Sequence, residues 1–104
     1  MEMSEYMLYI RLDPRDNSVR YVGLTRDLKV RTQQILRLPG ENKYLDSWIY
    51  ELQAAGLLPI TRVLETVRSW KAAMQRENYW IQFYLEQGTA LLNMRVRGQP
   101  RLPR

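Results

Sequence analysis

The chain has 104 residues, 45% of them apolar, 26% charged and 11% aromatic. That is one hydrophobic core's worth of chain near the globular average, which argues against disordered, collagen-like and disulfide-scaffold classes. Cysteine and histidine are both absent; this excludes cysteine or histidine zinc sites, thiol nucleophiles, Ser-His-Asp triads and imidazole acid–base pairs, and leaves Tyr, Lys, Arg and carboxylates, with a hard cation on carboxylate oxygen, as the chemistry within reach.

Tyr6 to Leu12 reads as a strand and ends at the turn-forming run Asp13-Pro14-Arg15-Asp16-Asn17-Ser18. Val19 to Leu24 resumes as a second strand, close enough to pair with the first as an antiparallel hairpin. Thr25 is positioned to cap a helix starting near Arg26 and ending before Pro39-Gly40. Asn42 caps a second helix, in which Leu45, Trp48, Ile49 and Leu52 recur at helical spacing and Gly56 closes the end. Pro59 to Val67 is β-rich. Ser69 then caps the longest helix, Trp70 to about Gln87, ended by Gly88. Thr89 to Met94 reads as a short strand or an extended segment. The order β-β-α-α-β-α makes the expected fold α+β: a small mixed or antiparallel three-stranded sheet flanked by three helices. Residues 1–93 form the expected domain, and 94–104 a basic, proline-containing mobile tail.

The net charge of +5 is unevenly spread. Residues 11–37 hold seven basic and three acidic side chains, the tail holds four arginines and no acid, and the middle is near neutral. Of the 16 cations 13 are Arg, whose planar fork suits phosphate, and the tilt is toward nucleic acid. The two basic zones put forward Arg26, Lys29, Arg95 and Arg97 as backbone contacts. No apolar run approaches the roughly 20 residues of a membrane span, and no signal-peptide layout opens the chain, so the protein is expected to be cytoplasmic with no membrane partner.

One residue breaks the apolar pattern. On the long helix Trp70, Ala73, Met74, Glu77, Trp80, Ile81 and Tyr84 fall within one stripe, with Glu77 near its centre. An ionised carboxylate facing a core costs several kcal/mol unless it is paired or bound to a cation. A neighbouring Arg or a solvated stripe edge would also explain it. Tyr9 and Tyr21 come next: a suitable hairpin register sets both phenols side by side on one face, although strand tyrosines are commonly packing residues. Gly23 shares the face of Tyr21 and leaves bare backbone that a ligand could approach.

These positions together resemble the GIY-YIG nuclease family. Met7-Leu8-Tyr9 stands where the first signature lies, with Met7 replacing its glycine, and Tyr21-Val22-Gly23 matches the second. Arg31 stands ten residues after Tyr21, where the family places its arginine. Asn42-Lys43, Trp48-Ile49, Glu77 followed by Trp80-Ile81, and Leu91-Leu92-Asn93 fall in order, so the likeness runs from about Tyr6 to Asn93. The resemblance implies a hydrolase, an endonuclease that cleaves DNA, double-stranded DNA first, with one divalent cation, Mg²⁺ or Mn²⁺. Glu77 would be the metal ligand, Tyr9 and Tyr21 the phenols near the scissile phosphate, Arg31 the phosphate clamp and Asn93 a hydrogen-bonding support. Lys43 is the nearest match to the histidine or lysine that many relatives carry between the first two helices, and a solvated first-turn lysine is its plain alternative. A nucleic-acid-binding module that kept the fold and lost turnover is the alternative function. Specificity would be low, or supplied by an oligomer or a partner. If the tail arginines touch phosphate, deleting 95–104 is expected to flatten the plot of log K against log salt by roughly 0.7 to 0.9 for each phosphate no longer neutralised; an unchanged slope confines binding to the folded body.

Overall fold

The computed structural model describes residues 5–36, 40 and 42–93. Its elements are strands β1 (Tyr6–Leu12) and β2 (Val19–Thr25), helices α1 (Leu28–Ile35) and α2 (Lys43–Ala54), strand β3 (Ile60–Val67) and helix α3 (Trp70–Glu86). The order is the expected β-β-α-α-β-α, and the fold is α+β. The sheet is wholly antiparallel in the order β2-β1-β3. The tail beyond Asn93, with Arg95 and Arg97, lies outside the described residues. No described helix is long and apolar enough to cross a membrane.

Paired on both sides, β1 is buried from Leu8 through Leu12, whereas the edge strand β3 has no fully buried residue. Strand alternation divides β1 between the two faces of the sheet. Ile10 and Leu12 join Val22 of β2 and Ile81 of α3 in one apolar cluster, with Leu64, Trp80 and Tyr84 at its margin. Tyr9 and Arg11 point to the opposite face. A second cluster, Leu45, Trp48, Ile49 and Leu52 of α2, takes in Tyr21, Leu57 and Leu92.

The helix ends follow capping chemistry. Asn42 Oδ1 accepts from the amides of Tyr44 and Leu45 at 2.9 and 3.0 Å, and Ser69 Oγ from that of Ala72 at 3.0 Å. The first helix departs from expectation. Thr25 is still in the β ladder, paired with Met7, so the cap passes to Asp27, whose Oδ1 accepts from the Val30 amide at 3.1 Å. Thr25 serves that cap instead, its Oγ1 accepting from the Asp27 amide at 3.1 Å. The α3 stripe also loses its first member: Trp70 is half exposed and stands edge-on to Tyr6 at 5.7 Å. Residues 89–93 form no strand. The Leu91 amide turns back onto Thr89 O at 3.1 Å, after which the chain lies beside β2, held by the Leu92 amide on Arg20 O at 2.7 Å and by Asn93 on Val22.

The hairpin loop is bolted to α2 through a buried carboxylate. Asp13 Oδ1 accepts from Arg15 N and Nε, both at 2.9 Å, and Oδ2 accepts from Arg15 Nη2 at 2.8 Å and Trp48 Nε1 at 3.0 Å. Asn17, at φ 62°, supplies the left-handed residue that turns the chain back. The side-chain bonds from Arg15, assisted by Trp48 and opposed by burial, hold the Asp13 carboxyl far below its ordinary value of 3.8. A depressed folded-state pKa gives stability that is complete above the unfolded value and is lost as the pH falls below it. Urea melts of the wild type are therefore expected to lose stability more steeply than those of Asp13→Asn between roughly pH 5 and pH 2; parallel profiles would refute this.

Candidate active site

The hairpin register decides where the phenols stand. Tyr9 pairs with Gly23 and Arg11 with Tyr21, so the two tyrosines are diagonal neighbours and not the direct opposites that a side-by-side register would give. All four residues share one face, and the Tyr9 and Tyr21 rings still approach to 6.5 Å between centroids at a 43° tilt. The missing side chain of Gly23 makes this possible. A Cβ there would overlap Cζ and the hydroxyl oxygen of Tyr9, so the bare backbone expected to admit a ligand is covered by that ring. Tyr9 is fully buried, and its hydroxyl makes no hydrogen bond of standard geometry among the described residues. Tyr21 is partly open.

Arg31 reaches this pair from α1. Burial is the largest influence on its guanidinium and opposes the charge, but the Tyr9 and Tyr21 phenols together outweigh it and raise its pKa. Tyr21 is also pushed above its ordinary value of 10.0, first by burial, then by Tyr9, with Arg31 pulling the other way and Glu77 adding a small upward push. Glu77 itself is buried, 5% exposed, within the Ala73, Glu77, Ile81 stripe of α3. The two phenols and the guanidinium, drawn from β1, β2 and α1, thus influence one another, whereas Glu77 belongs to the α3 stripe whose Ile81 packs with Ile10 and Val22 and is the least of the influences on Tyr21.

Asn93 meets this site through the backbone. Its Oδ1 accepts from Val22 N at 3.1 Å and its Nδ2 donates to Val22 O at 2.8 Å, which fixes the middle residue of Tyr21-Val22-Gly23. Lys43 stands apart: it is an exposed first-turn residue of α2 with its ammonium over the Tyr44 ring at 5.5 Å. Arg26 and Lys29 are exposed between β2 and the start of α1, with the Arg26 guanidinium 5.7 Å from the Tyr6 ring centre.

Sequence reasoning missed Arg11. It is completely buried, its guanidinium lies 4.7 Å from the centre of the Tyr9 ring, and its Nη1 donates to Thr61 Oγ1 at 2.6 Å and Thr32 Oγ1 at 3.3 Å. The signal was available: two residues after Tyr9 in the most apolar strand, a cation must share the Tyr9 face.

Among the described residues no three acidic side chains lie together in a metal-binding arrangement. A cation would therefore rest on Glu77 alone, which suits a small hard ion that keeps most of its waters and takes further oxygens from a phosphate. No family model, curated protein or solved structure matches the chain. Gly23→Ala is expected to force Tyr9 from its enclosed place and to cost about 1–3 kcal/mol in urea melts, with a changed near-ultraviolet tyrosine signal; wild-type stability would show that the ring moves freely.

Proposed function

We propose that the protein is a metal-dependent endonuclease of the GIY-YIG type that hydrolyses DNA phosphodiester bonds. The observation that carries this reading is the meeting of Tyr9, Tyr21 and Arg31 from β1, β2 and α1, with the charge of the buried Glu77 on α3 also influencing Tyr21 and with Asn93 fixing Val22 beside it. A buried carboxylate in an otherwise apolar helix stripe is costly to fold, and such groups concentrate at functional sites.

Water adds to phosphorus in this reaction, negative charge grows on the non-bridging oxygens, and the bond to the leaving oxygen breaks. Arg31 would neutralise that charge through its fork, already desolvated and aligned by the phenols. The raised pKa of Tyr21 leaves its Oη protonated at neutral pH, so it would orient a phosphate oxygen by donating a hydrogen bond; taking a proton from the attacking water requires added positive charge nearby. Mg²⁺ on Glu77 would supply that charge and acidify a bound water. Tyr9, enclosed behind Tyr21, would hold the guanidinium of Arg31 in place. DNA contacts would fall to Arg26 and Lys29 and, beyond the described residues, to Arg95 and Arg97. A cytoplasmic site of action and a partner or oligomer that supplies specificity complete the proposal.

The enclosed Tyr9 hydroxyl favours one second reading, a nucleic-acid-binding module without turnover. Supercoiled plasmid separates the two. The nuclease reading expects Mg²⁺-dependent nicking that rises with pH toward the phenol range and falls at least about a hundredfold in Glu77→Ala and Arg31→Ala. Salt-sensitive binding with no nicking in any metal would leave the binding module.

A further inference from the structure

Arg11 has no part in the proposed chemistry, yet it is the most deeply buried cation among the described residues, at 0% exposure. A fold gains nothing from such a charge as packing, because desolvating a guanidinium costs several kcal/mol and an apolar side chain of similar volume would fill the place. Its hydrogen bonds do not compensate fully, since Nε and Nη2 find no partner among the described residues. What the side chain does is join pieces. Its guanidinium lies against the Tyr9 ring, and Nη1 bridges Thr61 of β3 and Thr32 of α1.

The bond to α1 matters because the body of that helix is weakly buried. It is eight residues long, none of its described side chains is fully buried, and Val30 is 45% exposed. A helix this short has no stability of its own and depends on tertiary attachment. Its C-cap residue Leu36 packs against the α2 cluster, and from within the helix Thr32 is bonded to Arg11 while its sequence neighbour Arg31 feels the two phenols. We propose that Arg11 is a positioning residue that seats α1 on the phenol face, gripping Thr32 while its charge lies on Tyr9, and so sets the Arg31 guanidinium and the Tyr9 ring in one rigid unit. Its effect on turnover rests on the nuclease reading; the seating of the helix does not.

Two measurements on Arg11→Met, Arg11→Lys and Thr32→Val test this in the intact chain. Native-state hydrogen exchange of the amides of 31–35 is expected to speed up roughly tenfold in Thr32→Val and Arg11→Met, the loss of one hydrogen bond to a charged group, with β1 and β2 amides unchanged and Arg11→Lys intermediate. Plasmid nicking at saturating DNA is expected to fall by a similar factor with KM little altered. Unchanged exchange in 31–35, or a uniform rise that includes β1 and β2, would overturn the proposal. If Arg11→Met fails to fold, Thr32→Val decides. If the wild type nicks no DNA, the nuclease reading fails while the exchange result still tests the seating of α1.

Discussion

The ring of Tyr9 occupies the space that Gly23 leaves by having no side chain. That one steric exchange sets the geometry of the phenol face. It lets a large residue lie flat across the central hairpin, places Tyr21 on the diagonal at 6.5 Å, and leaves the hydroxyls close enough for a single guanidinium to interact with both. A side chain at position 23 would lift the ring, and with it the surface on which Arg11 lies and toward which Arg31 reaches. The Asn93 clamp on Val22 acts on the same stretch of β2 from its far edge, so the backbone between Tyr21 and Gly23 is held from both sides.

The three buried charged groups among the described residues follow different logics. Asp13 is met by two donors on each oxygen, and its carboxyl is held strongly acidic; it fastens a loop to a helix. Arg11 has two hydrogen bonds, one aromatic face and two nitrogens without a bond among the described residues. Glu77 lies in a helix stripe that an apolar residue would fill with less cost. Fully satisfied buried networks rigidify a fold, whereas incompletely satisfied ones draw on its stability. In this chain the less satisfied Arg11 lies beside the phenols, and Glu77 acts on Tyr21 through its charge, while the well satisfied Asp13 lies away at the loop.

Much of this was legible in the sequence, for identifiable reasons. Alternation and turn residues mark β1 and β2, and Asn42 and Ser69 cap the helices where their side chains allow. The inward-facing carboxylate at position 77 stands out because an acid breaks an otherwise apolar stripe. The cap of α1 was misjudged because Thr25 has two possible employments, ladder and cap, and pairing with Met7 takes precedence. Hairpin register was not readable: a six-residue loop and a bulge between Arg11 and Leu12 allow more than one alignment, and the one adopted sets Tyr9 over Gly23. Arg11 escaped notice because a basic residue in a basic stretch resembles a surface charge until the strand order puts β1 in the middle of the sheet. The Trp48 bond to Asp13 joins residues 35 apart in sequence, a pairing that local patterns do not encode.

The segment 89–93 has a consequence for how the sheet could grow. By lying along β2, with Leu92 bonded to Arg20 and Asn93 to Val22, it obstructs one rim against strand addition, and β3 remains as the other rim, with Arg62 and Val63 exposed. Among the described residues β3 is then the one rim left uncovered, and two such rims meeting across a two-fold axis leave none to offer a third. Any association by this route stops at a closed six-stranded pair and cannot propagate into a fibre.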